Sequence, residues 1–194
     1  PNPIEIFPNR RGSKGLELGN ISEISQIKIE LDKYRDNEWI SCPIISGRNI
    51  ETEKREVFCP FENTKVVGKV SFSTKDEVER AINKASAAFA EWSKTPVSEK
   101  FQIFERTADL LEENKFEAIA LCMYEAGKTL RDSIAEVRET VDYCRYYAAI
   151  ARNNFEIPKR LPGPTGEDNS LILQGRGIFA CISPWNFPMA IFTG

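Results

Sequence analysis

Apolar residues recur at helical spacing through the middle of the chain. Val78, Ile82, Ala85, Phe89 and Trp92 are separated by 4, 3, 4 and 3 residues, which makes one stripe on a helix. Thr74-Lys-Asp-Glu77 just before them fits a capping box and predicts where that helix starts. Pro96 ends the unit, and Ser98 is expected to cap the next helix, whose buried face would carry Phe101, Phe104, Ala108 and Leu111. A helix resumes after Asn114 with Phe116, Ile119 and Met123, and stops at Gly127. A further long helix is expected from Asp132 or Ser133, with Ile134, Val137, Val141, Cys144 and Ala148 as its stripe and Pro158 beyond its end.

Strand signals flank this helical block. Glu56-Val-Phe-Cys59 and Val66 to Phe72 read as two strands joined as a hairpin through Pro60 to Thr64. Ser46-Gly-Arg-Asn49 reads as a turn. Ser170 to Gln174 reads as an exposed strand that wants a partner edge. Ile178-Phe-Ala-Cys-Ile182 is a continuous apolar run after Gly175 and Gly177, the pattern of a strand buried on both faces of a parallel sheet. The fold class is therefore α/β. Residues 1 to about 35 carry weaker signals: Asn9 to Gly15 is a turn-rich basic patch, and Ile24, Ile27 and Leu31 suggest a short helix. The plain reading is a solvated lead-in; the alternative is a segment leading in from an upstream domain.

Ser183-Pro184 ends the last strand, and Trp185, Asn186 and Phe187 follow, held between Pro184 and Pro188. The prolines fix their own φ and bias the residue before each towards extended geometry. Open α/β sheets place ligands at the carboxyl ends of their strands. An uncharged amide donor fixed there has what an oxyanion hole needs, although an Asn in a turn also satisfies backbone groups.

The net charge of −3 supplies no electrostatic footprint for nucleic acid, and no apolar run approaches the length of a membrane span. The absence of histidine excludes Ser-His-Asp and Cys-His catalysis and any His-containing metal site within these residues. Five cysteines without CxxC spacing argue against zinc, and the odd count without a secretion signal points to reduced thiols in a cytoplasmic setting. Cys181 inside the apolar run is expected to be a buried structural thiol rather than a nucleophile. Gly127-Lys128-Thr129 lacks the earlier glycine of a phosphate loop, because Cys122 stands there. Gly175-Arg-Gly177-Ile-Phe-Ala180 precedes its strand instead of following it, so it is no dinucleotide turn. Asn20-Ile-Ser22 fits a glycosylation sequon without other signs of secretion.

Ile182-Ser-Pro-Trp-Asn-Phe-Pro188 resembles the signature of NAD(P)-dependent aldehyde dehydrogenases. Leu161 to Asn169, Gly175-Arg-Gly177 and Glu139 to Ala148 extend the resemblance to L-glutamate γ-semialdehyde (Δ1-pyrroline-5-carboxylate) dehydrogenases, above all to the domain within bifunctional proline utilisation A. Cys59-Pro60, where many members have Asn-Pro, departs from the pattern.

The resemblance implies the N-terminal part of an aldehyde dehydrogenase fold: a lead-in over 1–50, the helical part of the cofactor domain over 51–158, an oligomerisation-hairpin arm over 159–176, and the first strand and turn of a Rossmann-like sheet over 177–194. It implies NAD as cofactor, lined by Ile182, Ser183, Pro184 and Trp185, with Asn186 stabilising the oxyanion at a catalytic cysteine. Glu139 and Phe187 would border the substrate; by position alone Glu139 is equally a solvated helix charge and Phe187 equally core, and Trp185 taken alone reads as ordinary core. No metal is implied. The expected partners are an aldehyde, further copies of the chain and an upstream proline dehydrogenase domain.

In the family the nucleophile, the general base and the ribose-binding Lys lie downstream of this motif, so residues 1–194 alone are expected to be inactive. A different semialdehyde dehydrogenase, or a non-catalytic fragment that oligomerises or binds a partner, is the alternative.

Overall fold

The opening Thr74 of the first long stripe behaves as its pattern requires. Its hydroxyl accepts from the Glu77 N–H, and the Glu77 carboxylate accepts from the Thr74 N–H at 2.7 Å, closing the capping box. In the computed structural model, which describes residues 3–194, this cap starts α2 (Lys75–Trp92). Ahead of it come α1 (Ile21–Asp32), β1 (Trp39–Ser41), β2 (Ile44–Ile45), β3 (Arg48–Asn49), β4 (Lys54–Cys59) and β5 (Glu62–Ser71). After it come α3 (Val97–Glu113), α4 (Lys115–Ala126), α5 (Leu130–Phe155), β6 (Lys159–Leu161), β7 (Asn169–Leu171) and the short α6 (Ala190–Thr193).

The expected hairpin is present as β4 and β5, antiparallel, with register shifts around Phe58. β1 adds to the other edge of β5 in parallel, giving the order β1-β5-β4. Gly68 makes that approach possible: a Cβ there would stand 2.1 Å from the Trp39 carbonyl oxygen. The indole N–H of Trp39 donates to Glu117 at 3.0 Å and ties the sheet to α4. Ser46 and Gly47 turn between β2 and β3 with φ of 53° and 71°, the positive values a two-residue hairpin demands.

The core lies where α5 meets α3 and α4. Val141 and Cys144 of α5 pack on Ala108 of α3 with Leu111 alongside. Ile134 and Val137 pack on Ile119 of α4, joined by Leu16, Leu18, Leu31, Phe116, Met123 and Met189. Every member of the stripe expected on α5 is buried. Burial of each large aliphatic side chain here contributes about 1.5–3 kcal/mol. α4 ends as expected at Gly127, which takes φ of 66°.

Four expectations about the helices and the lead-in are corrected. α5 begins at Leu130, not at Asp132 or Ser133, because the Thr129 hydroxyl accepts from the Asp132 N–H and caps it. α3 begins at Val97 behind Pro96, so Ser98 sits inside the first turn and caps nothing. On α3 only Ala108 of the expected buried face is buried, with Phe101 and Leu111 half-buried and Phe104 exposed; the stripe on α2 is present as expected, though no residue of α2 is buried. Periodicity marks an apolar face; it does not supply the surface that covers it.

The fourth correction concerns the lead-in, which is packed rather than solvated at Gly12 and Ser13. Arg145 of α5 donates to the Gly12 carbonyl at 3.0 Å, and Asp142 accepts from the Ser13 N–H at 2.9 Å and its hydroxyl at 2.8 Å. Arg11 pairs with Asp109 at 2.8 Å. Pro1 and Asn2 of the expected lead-in lie outside the described residues.

Residues 159–176 hold β6 and β7 as a small exposed antiparallel hairpin. The strand itself ends at Leu171, short of the expected Gln174.

Candidate functional site

The last apolar run does not form the expected buried strand. Ile178 to Ile182 are exposed and enter no ladder, with Ile182 95% accessible. A strand needs a neighbour's N–H and C=O groups, and no partner edge pairs with this run among the described residues. Cys181 is accordingly exposed, contrary to the expectation of a buried thiol.

Beyond this extended stretch the chain turns through Trp185 to Met189 and enters α6. Asn186 sits in the turn and is exposed rather than directed into packed interior; Trp185 is 63% accessible. Ser183 and Pro184 are exposed beside Ile182. The stretch from Ile182 to Asn186 thus presents two large apolar side chains, Pro184 and one amide to the solvent.

What holds the turn in place is a residue that sequence reasoning missed. Glu136 lies on α5 with its side chain 1% exposed. Its Oε1 accepts from the N–H groups of Met189 at 3.0 Å and Ala190 at 2.8 Å, the first N–H groups at the start of α6. Its Oε2 accepts from the Lys128 ammonium at 2.7 Å. Burial pushes the Glu136 carboxyl up, but donation from Ala190, Lys128 and Met189 outweighs it, so the group is held below the ordinary carboxylate range. The carboxylate is therefore charged at neutral pH and fully partnered.

Two further contacts close the arrangement. The Lys128 ammonium lies 5.0 Å from the centre of the Phe187 ring, within cation–π range. Met189 packs its sulfur 3.5 Å from Cys122 Sγ. Burial pushes the Cys122 thiol up to about 12, with the Glu136 charge adding to it, so this sulfur is an uncharged packing atom and not a nucleophile.

Glu139 lies one turn along α5 from Glu136 and is half-buried. Its charge, followed by burial and its hydrogen bond, raises the Tyr143 phenol above its ordinary value. The Tyr143 ring in turn lies against Gly194 at the end of α6. α5 thus carries Glu136, Glu139 and Tyr143 on the face towards the turn and α6. Phe187 is brought to Lys128; Glu139 shares the helix that anchors the turn. Nothing in the sequence singles out Glu136: it stands beside Val137 of the apolar stripe, as other charges of this helix stand beside stripe residues.

Among the described residues no helix is long and apolar enough to cross a membrane, and no cluster of His, Cys, Asp or Glu is arranged to hold a metal ion.

Comparison with known proteins gives this arrangement its context. The chain is 35% identical over its full length to bifunctional protein PutA of Salmonella typhimurium, of which it spans 14%. It is 36% identical to the 1-pyrroline-5-carboxylate dehydrogenase of Anoxybacillus flavithermus, over 78% of the chain and 29% of that protein. The crystal structure of 1-pyrroline-5-carboxylate dehydrogenase from Thermus with bound NAD superposes with a TM-score of 0.85 at 29% identity, over 97% of this chain and 37% of that one. The chain therefore spans well under half the length of these relatives. The model of the aldehyde dehydrogenase family matches residues 48–194, from β3 through the Asn186 turn, and the chain belongs to that family.

Proposed function

We propose that residues 1–194 supply the oxyanion donor and part of the cofactor rim of an NAD-dependent dehydrogenase that oxidises L-glutamate γ-semialdehyde to L-glutamate, in proline catabolism. The observation that carries this reading is the exposed Asn186, fixed in a turn whose far end is bonded to α5 through Glu136. Its relatives' names support the substrate: PutA and 1-pyrroline-5-carboxylate dehydrogenase both lie at 35–36% identity.

NAD supplies a hydride acceptor when bound. Ile182 and Trp185 fit such a partner, since both present uncovered apolar surface to a ribose or a ring, and Ser183 and Pro184 complete the rim. When a cysteine thiolate adds to the aldehyde carbonyl, negative charge grows on the carbonyl oxygen. The Asn186 amide donates to that oxygen, more strongly as the charge develops, which lowers the barrier. Phe187 lies against the substrate's methylene chain, and Glu139 borders the pocket from α5. The nucleophile and general base come from outside residues 1–194. The hairpin over 159–176 presents Leu161, Leu171, Ile172 and Leu173 to solvent and serves as a contact between copies. A proline dehydrogenase domain precedes this one in the same cytoplasmic polypeptide.

Steady-state assay of the full-length polypeptide containing these residues, with NAD+ and a panel of aldehydes, tests the reading. Glutamate γ-semialdehyde should give the highest kcat/KM. A clear preference for succinate semialdehyde would replace the substrate, and absence of turnover with every aldehyde would remove the activity. The 194 residues by themselves should give no turnover.

A further inference from the structure

We propose that Glu136 is a positioning residue for the oxyanion donor: its carboxylate and the Lys128 ammonium together grip both sides of the Phe187-Pro188 step that follows Asn186. The inference rests on the reading of Asn186 given above and extends it to two residues of α5 and the α4–α5 loop.

The geometry is specific. Glu136 Oε1 fixes Met189 and Ala190, the third and fourth residues after Asn186, through two N–H donors at 3.0 and 2.8 Å. Pro188 stands between, with its φ locked by its ring. Lys128 binds the other carboxylate oxygen at 2.7 Å and also faces the ring of Phe187, the residue directly after Asn186. Met189 is set into the core beside Ile119, Ile134 and Val137. The exposed turn is thereby joined to the best-packed helix of the molecule through charge-assisted bonds, the strong class of hydrogen bond. An oxyanion donor acts only if it is already aimed where charge develops, and small displacements of such a group reduce rate steeply. The cation on the second oxygen keeps this buried carboxylate charged, and its placement over Phe187 carries the anchor to the residue next to Asn186.

The test uses the full-length polypeptide, with Glu136→Ala, Glu136→Gln and Glu136→Gln/Lys128→Met. Hydrogen exchange at the Met189 and Ala190 amides reports the anchor directly, and kcat and KM with aldehyde and NAD+ report its consequence. In Glu136→Ala both amides should exchange about tenfold faster or more. Its kcat should fall on the order of 100-fold, with KM for aldehyde changed far less. Glu136→Gln keeps an acceptor for the two amides but turns an NH2 towards Lys128. Adding Lys128→Met removes that conflict and keeps a thioether beside Phe187, so the double variant should recover kcat relative to Glu136→Gln. The Gln variants carry the test if Glu136→Ala fails to fold.

Faster exchange with unchanged kcat would overturn the positioning role, as would a fall in kcat with unchanged exchange. A double variant that recovers the full wild-type kcat would overturn the part assigned to the Lys128 ammonium. A wild-type protein without turnover would remove the proposed activity and the positioning role with it, while protected Met189 and Ala190 amides would still show the anchor itself intact.

Discussion

Arg145→Met should unfold the chain at a markedly lower temperature, because the guanidinium joins three parts of the molecule at once. It is 1% exposed. It donates to Asp109 at 2.9 Å and to Glu112 at 3.2 Å on α3, and to the Gly12 carbonyl of the lead-in at 3.0 Å. Methionine replaces much of the stem but takes a donor from two carboxylates and a carbonyl, leaving Asp109 with Arg11 and Glu112 with the Lys14 N–H. Breaking a buried ion pair from one side costs about 3–5 kcal/mol. The side chain of Asp109 is 36% exposed, so water relieves part of that loss, and the low end applies. About 3 kcal/mol in a domain of this size lowers Tm by roughly 6–12 °C.

Arg145→Lys keeps the charge and loses the fork, and should cost about half as much. Arg11→Ala removes a partner of the same Asp109 from the exposed side and should cost less than about 1 kcal/mol. Calorimetry of the three variants checks the ranking. Trypsin adds a local readout, since Arg10 and Arg11 should be cut faster once Gly12 and Ser13 are released. Arg145→Met within about 1 kcal/mol of wild type, or Arg11→Ala as costly as Arg145→Met, would refute the reasoning that this buried hub, rather than surface pairing, fixes the lead-in.

Two further perturbations follow from the fold. Gly68→Ala should detach β1, because its Cβ would meet the Trp39 carbonyl at 2.1 Å; Trp39 fluorescence should shift towards that of an exposed indole, and an unchanged spectrum with unchanged Tm would contradict the close pairing. Stability should fall on acidification below about pH 4. Asp109, Glu112 and Glu136 are each pushed up by burial but held below their ordinary values of 3.8, 4.5 and 4.5 by Arg145 or by Lys128 and the α6 N–H groups. Their contribution is complete above those ordinary values and is lost as pH falls through the lowered ones. Burial raises Glu125, which acts in the opposite direction and is outnumbered. Urea midpoints at pH 3 and pH 6 decide it, and equal midpoints would contradict the assignment.

Much of the fold was legible because it rests on local signals. The α5 stripe, the Thr74 cap, the Gly127 terminus and the β4–β5 hairpin each follow from spacing or turn chemistry within a few residues. The Thr129 cap was equally legible, since Thr129 and Asp132 stand at the same three-residue spacing as Thr74 and Glu77. Illegible features depend on partners far away in sequence. The basic patch at Arg10 and Arg11 finds Asp142 and Asp109 about a hundred residues later, and charge pairing at that range leaves no periodicity.

The α2 stripe and the run from Ile178 to Ile182 fail in the complementary way. Their apolar pattern is plain, but no residue of α2 is buried and the run pairs with no strand among the described residues. At the site, Asn186 was marked by the family resemblance of its motif, since its proline-bracketed spacing alone favours an Asn that satisfies turn backbone groups, whereas Glu136 was hidden because a buried carboxylate looks, in a list of residues, like any other helix charge.

The most direct measurement is kcat for Asn186→Ala in the full-length polypeptide with NAD+ and glutamate γ-semialdehyde. Loss of one oxyanion donor should lower kcat on the order of 10²–10³-fold, with KM for aldehyde little changed and the fold intact by circular dichroism. A variant that turns over within about threefold of wild type would contradict the account, since the amide would then play no part in stabilising the transition state.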